Sequence, residues 1–300
     1  MSMKAGSKAS LVLDARNTLG EGVTWCTRSQ SLYWTDIHES VLWHFCPTDG
    51  STRRWSMPER LASFALCDDD GWLLLGLASG LAFFHKESGE LIRITDVEAG
   101  LPTRLNDGAC DRQGRFVFGT LHEPVGGEAR RAAGGFYRLH ADLRLEPLPL
   151  GPVAISNSIA FSPDGATMYY CDSWTRLVHR CTYGDNVTDA CVHIDLSHQQ
   201  GEPDGSAVDS EGGMWNAEWG SGRVVRYDRD GRENLVIDVP TRQPTRVAFG
   251  GERLNTLYIT SARDGLSAEA LEKDPHAGGL FAVEVPFTGM PEPRFAGRPM

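Results

Sequence analysis

Six oxygen-bearing side chains open six related hexapeptides along the chain. They are Glu21 in EGVTWC (21–26), Ser63 in SFALCD (63–68), Asn106 in NDGACD (106–111), Asn157 in NSIAFS (157–162), Asp204 in DGSAVD (204–209) and Thr245 in TRVAFG (245–250). Two carboxylates, two carboxamides and two hydroxyls occupy one column of a repeat, and no aliphatic residue appears in it. If the repeat is rotational, these side chains can converge. Burying such groups without partners costs roughly 2–7 kcal/mol for each neutral one, and a bound cation removes that cost. An all-oxygen set suits hard divalent ions, with Ca²⁺, Mg²⁺ or Mn²⁺ the natural candidates. Glu21, Asn157 and Asp204 as direct ligands would supply two negative charges and leave positions for water and substrate, as a catalytic site requires. Single Asp or Asn residues at strand ends more often cap turns. Four at matched positions favour the metal centre.

An ion with open positions can activate water without a protein nucleophile. The chain has no G-x-S-x-G elbow and no compelling Ser/His/Asp set. Asp204, a carboxylate beside the ion, is the expected general base toward the attacking water, although the cation would lower its basicity.

The elements that must position these residues are legible in the same repeat. First residues of successive hexapeptides lie 42, 43, 51, 47 and 41 residues apart. Turns rich in Asp, Gly or Ser follow most of them, as at 68–71, 112–114, 162–165 and 210–213, and two or three further short apolar runs come next. Units of this length built from short strands predict an all-β fold, a six-bladed β-propeller with four-stranded antiparallel blades around a central channel. A two-sheet sandwich has no reason to repeat one hexapeptide six times. The expectation is one domain over 1–300, with 1–9 and the last few residues disordered. Residues 10–15 should pair with the last repeat and close the ring, covering exposed strand edges. Helical periodicity is confined to 267–273.

Composition narrows the function. A net charge of −11 without a basic cluster disfavours a nucleic-acid partner. Seven cysteines with no C-x-x-C pair fit neither a disulfide framework nor a zinc-thiolate site and read as reduced. No apolar run follows the N-terminal lysines as a secretory signal would need, and the most apolar stretch, 72–84, is too short to span a bilayer. These features predict a cytoplasmic protein with no membrane partner.

Leu19-Gly20-Glu21-Gly22 with Trp25, Arg104-Leu105-Asn106-Asp107-Gly108, Ser156-Asn157 leading into Phe161-Ser162-Pro163-Asp164-Gly165, and Pro203-Asp204-Gly205 occur in order and in register with the repeat. In these marks the chain resembles the senescence marker protein, gluconolactonase and regucalcin group of six-bladed propellers over nearly its whole length. The resemblance implies metal-dependent hydrolysis of a sugar-acid lactone, such as a glucono-, galactono-, arabinono- or xylonolactone. It implies that Glu21, Asn157 and Asp204 hold one divalent ion, Ca²⁺ first, with Zn²⁺, Mn²⁺, Mg²⁺ and Fe²⁺ as alternatives. It also implies that Asn106 lies close to the ion and that Arg104, Asn106 and Glu123 bind substrate. Where family members often carry Gly after the fourth-repeat Asn, this chain has Ser158, a small residue whose local backbone can differ. The rivals are an organophosphate or aryl-ester hydrolase on the same site and a non-catalytic calcium-binding regulator. Arg130, Arg131, Asp172, Glu218, Arg246 and Arg263, read as channel loops, favour polyhydroxylated substrates, and Trp174 or Trp219 could pack on a sugar face. His122 reads as a solvent-exposed loop residue.

Overall fold

The computed structural model describes residues 7–299. The six hexapeptides lie on the innermost strands Gly20–Cys26, Leu61–Leu66, Thr103–Cys110, Ser156–Phe161, Glu202–Val208 and Pro244–Gly250. Each heads an antiparallel run of strands that proceeds outward in sequence order, and the N-terminal end of the chain supplies a further outer strand to the last two sheets. Each innermost strand packs on the next and the sixth packs on the first, so the sheets close into the six-bladed propeller.

Among the described residues the apolar core divides into six clusters, one at each seam between neighbouring blades. Phe83, Phe116 and Phe118 fill the seam between blades 2 and 3, and Trp215 meets Phe249 edge-on at 5.6 Å between blades 5 and 6. Twisted sheets stacked face to face bury their apolar side chains against each other. The ring axis is thereby left to the polar ends of the innermost strands.

The sixth blade takes its outer strand from the other end of the chain, where Ser10–Leu13 pairs antiparallel with Leu280–Glu284. A second closure was not foreseen. Ser7–Lys8 adds a parallel strand to the outer strand Glu233–Asp238 of blade 5, and Ala9 is buried. The expected disorder of 7–9 is therefore corrected, because these backbone groups pair with an otherwise open edge; residues 1–6 and 300 lie outside the described residues. Near the other terminus Phe295 is fully buried against the seam of blades 2 and 3, and its N–H donates to the Leu66 carbonyl at 2.8 Å. The helix forms as one short segment, Ala268–Lys273, capped by Ser267. Among the described residues no helix is long and apolar enough to cross a membrane.

Every innermost strand breaks register with its neighbour near its start, as between Glu21 and Thr24, Leu105 and Gly108, Asn157 and Ala160, and Pro203 and Ser206. Such bulges re-aim side chains and tighten the local twist. At Gly22 and Ser158, directly after Glu21 and Asn157, the chain takes a left-handed conformation with φ of 65° and 60°.

Candidate metal centre

A cleft of about 170 Å³ opens at the end of the channel where the innermost strands begin. Glu21, Arg104, Asn106, Asn157 and Asp204 line it together with Ser173, Glu202, Trp219 and Asp264. Four of the six hexapeptide-opening residues thus meet there, and two do not. The Thr245 hydroxyl donates to the Gly20 carbonyl, and Ser63 is buried beside Gly76 and Gly108, where added methyl groups would lie 2.7 and 3.0 Å from its Oγ. Their side chains are too short to reach past the backbone they contact.

A chain of hydrogen bonds fixes the carboxamides. Arg104 Nη1 donates to Asn106 Oδ1 at 2.8 Å, and Asn106 Nδ2 donates to Asn157 Oδ1 at 3.0 Å and to the Ser156 carbonyl at 2.8 Å. Asn157 Nδ2 donates in turn to Ser173 Oγ at 3.0 Å, and Ser173 donates to the Pro203 carbonyl at 2.7 Å. Each amide has one workable orientation. Asn106 and Asn157 each accept one hydrogen bond at Oδ1 and keep a second lone pair there, and Asn106 also aims its neighbour.

Glu21 and Asp204 both line the cleft, near enough for the charge of Glu21 to act on Asp204. Burial, reinforced by the nearby Asp107 carboxylate, pushes the Glu21 carboxyl from its ordinary value of 4.5 up to about 7. Burial and then Glu21 itself push Asp204 upward. Two carboxylates this close cannot both ionise cheaply without a cation between them. Asp204 Oδ1 is buried and has no hydrogen-bond partner among the described residues.

These observations test the fit of a divalent ion, and the residues pass. Two neighbouring carboxylates, one with an orphaned oxygen, and a carboxamide oxygen held in place make a hard, all-oxygen donor set. Among the described residues no three His, Cys, Asp or Glu side chains gather as a metal-binding cluster, and the carboxamide oxygens of Asn106 and Asn157 are further oxygen donors lining the cleft.

Arg104 is buried, and burial lowers its guanidinium pKa to about 10. Its Nε reaches Glu123 at 3.3 Å and its Nη1 is engaged by the Leu105 carbonyl and Asn106, while Nη2 takes part in none of these bonds. Glu123 does not line the cleft. Both its oxygens accept 2.7 Å bonds from Arg60, which hold its carboxyl below the ordinary value, and it braces Arg104 from behind.

Other expectations are corrected. None of the six residues assigned to channel loops lines the cleft. Glu218 is fully buried between Arg223 and Tyr227, Arg246 pairs with Asp107, Asp172 accepts the Ala154 and Ile155 N–H groups, and Arg130 bonds the His122 carbonyl. Charged residues in a propeller also serve to satisfy strand ends, and spacing alone does not separate the two uses. His122 is buried rather than exposed, and Trp174 is 61% exposed away from the cleft that Trp219 lines. Sequence reasoning missed Arg60, Ser173 and Asp264, which come from loops with no counterpart in the repeat. It also missed Asp107 as a partner of Arg246, although both stand in the second column of the hexapeptide.

The chain is similar to known proteins over nearly its whole length. Residues 19–263 match the family model described as SMP-30/Gluconolactonase/LRE-like region. An L-arabinolactonase of Azospirillum brasilense is 55% identical over 97% of both chains, and a 6-deoxy-6-sulfogluconolactonase of Pseudomonas putida is 39% identical over 94% of this chain and 96% of that protein. The crystal structure of a calcium-binding protein, regucalcin, from Agrobacterium tumefaciens superposes with a TM-score of 0.90 at 30% identity, covering 98% of this chain and 99% of that one.

Proposed function

The chain belongs to the SMP-30/gluconolactonase/LRE-like family, and from that premise we propose that it hydrolyses sugar-acid lactones to the open-chain acid, using one divalent ion held by Glu21, Asn157 and Asp204. The observation that carries this reading is the buried, partnerless Asp204 Oδ1 near Glu21 in a cleft that Arg104 also lines. Relatives whose names record action on L-arabinono-, sulfoglucono- and pentonolactones support the substrate class.

When bound, the ion supplies Lewis-acid polarisation of the ester carbonyl and lowers the pKa of water. The protein's own groups do the rest. Asp204 would accept the proton of the attacking water on the carboxylate oxygen that the ion leaves free and return it to the ring oxygen as the ester bond breaks. Arg104 offers Nη2 to the oxygen on which negative charge develops, and its other nitrogens are anchored so that little reorganisation is needed. Trp219 gives the lactone ring an apolar wall, and Glu202 and Asp264 give its hydroxyls acceptors. Ca²⁺ is the first candidate ion, on the strength of the oxygen donors and of the calcium-binding relative. One domain over 1–300 and a cytoplasmic setting belong to the same reading; the seven unpaired cysteines suit a reducing compartment.

A panel of aldonolactones assayed with and without chelator tests the proposal, alongside Asp204→Ala and Glu21→Gln. Metal-dependent turnover lost in both variants is expected. Tight Ca²⁺ binding without turnover of any lactone would instead identify a regulator, and retained turnover in Asp204→Ala would sink the assigned centre.

A further inference from the structure

Asp107 and Arg246 are the second residues of the third and sixth hexapeptides, so they start from blades that face each other across the ring. Their side chains meet inside the channel, where Arg246 Nη1 donates to Asp107 Oδ1 with both side chains less than a tenth exposed. The Asp107 carboxylate also accepts the N–H groups of Gly108 and Ile159, both at 2.8 Å, and these residues lie two beyond Asn106 and Asn157. The Arg246 stem packs on the backbone beside Asp204, since a methyl group on Gly205 would lie 2.6 Å from Arg246 Cγ. The pair therefore forms a layer directly under the residues that face the cleft. At the far end of the channel Arg246 shares its surroundings with Arg112 and Glu292.

Stability alone does not ask for an ion pair at this place. Apolar side chains of similar volume serve a buried position equally well or better, because desolvating two charges offsets much of their attraction. Fixed charges this close to a centre of opposite or like sign act on it strongly, since little water intervenes. Asp107 attracts any cation seated above it and Arg246 repels it.

We infer that Asp107 and Arg246 are a positioning pair that sets how tightly the centre holds its divalent ion, Asp107 strengthening the hold and Arg246 weakening it. The inference rests on the metal-centre reading above. It gives the two members of one ion pair opposite effects, which a merely structural pair cannot have, because loss of either partner then disturbs the same packing.

The test is calorimetric titration of Ca²⁺ and of Mn²⁺ into chelator-treated protein, with circular dichroism to check folding. Wild type should bind one ion per chain. Asp107→Asn should bind about tenfold more weakly or worse, Arg246→Met about tenfold more tightly or better, and the double variant within about threefold of wild type. If Arg246→Met does not fold, the comparison of Asp107→Asn with the double variant decides, because adding the second substitution must restore binding. Single variants that both weaken the ion, or leave it unchanged, overturn the inference while wild-type binding leaves the centre standing. A wild type that binds neither ion removes both.

Discussion

Ser158 Oγ donates a 2.5 Å hydrogen bond to the main-chain carbonyl of Asp204. The bond joins the residue after Asn157 to the residue proposed as base, across the boundary between blades 4 and 5. Asn216 reinforces it by donating to Ser158 Oγ at 3.1 Å and to the same carbonyl at 2.9 Å. Ser158 stands at φ 60°, a conformation that favours glycine and costs a residue with a Cβ roughly 1–2 kcal/mol. The hydroxyl offsets that strain with a bond glycine cannot make.

Ser158→Ala keeps the strain and loses the bond, so it should lower stability by about 1 kcal/mol and weaken ion binding. Ser158→Gly loses the bond but also the strain, and should unfold close to wild type. Urea denaturation of the two variants orders them; an alanine variant as stable as the glycine one would show the hydroxyl to be idle.

Arg104→Lys retains a cation and loses the planar fork that Glu123, Leu105 and Asn106 hold. Its kcat for the preferred lactone should fall about a hundredfold while calorimetry still finds one bound ion. Arg60→Met, which only frees Glu123, should cost less. A larger loss from Arg60 than from Arg104 would reverse the assigned roles.

The raised pKa of Glu21 fixes the sign of a pH effect. A carboxyl whose folded pKa lies above its unfolded value stabilises the fold while protonated, and that contribution disappears as pH rises from about 4.5 through about 7. Asp204 is shifted in the same direction. Chelator-treated protein should therefore melt at lower temperature at pH 8 than at pH 5.5, and saturating Ca²⁺ should remove that slope because it binds the ionised pair. Melting curves at the two pH values, with and without ion, read this directly.

Phe295→Ala empties a fully buried ring position between blades 2 and 3 and should cost about 3–5 kcal/mol. Guanidinium titration should show a lower midpoint with unchanged slope. Because the ring lies in the seam between blades 2 and 3 and does not line the cleft, KM for the lactone should hold.

The sequence by itself determined the blade count, the innermost strands and the column that supplies Glu21, Asn106, Asn157 and Asp204. Those are properties of a repeat: the hexapeptide spacing reports the length of one sheet, and rotation carries like positions to one end of the channel. It could not determine which members of that column reach the cleft, since Ser63 and Thr245 share the register and are kept away by the backbone they contact. Nor could it pair Asp107 with Arg246, 139 residues on, because only the closed ring sets blades 3 and 6 face to face. Arg60 behind Glu123 and the two extra residues Ser7 and Lys8 in blade 5 were equally hidden. Contacts of this kind depend on where loops and chain ends fall once the seams have packed, and that is decided by the summed geometry of six twisted sheets.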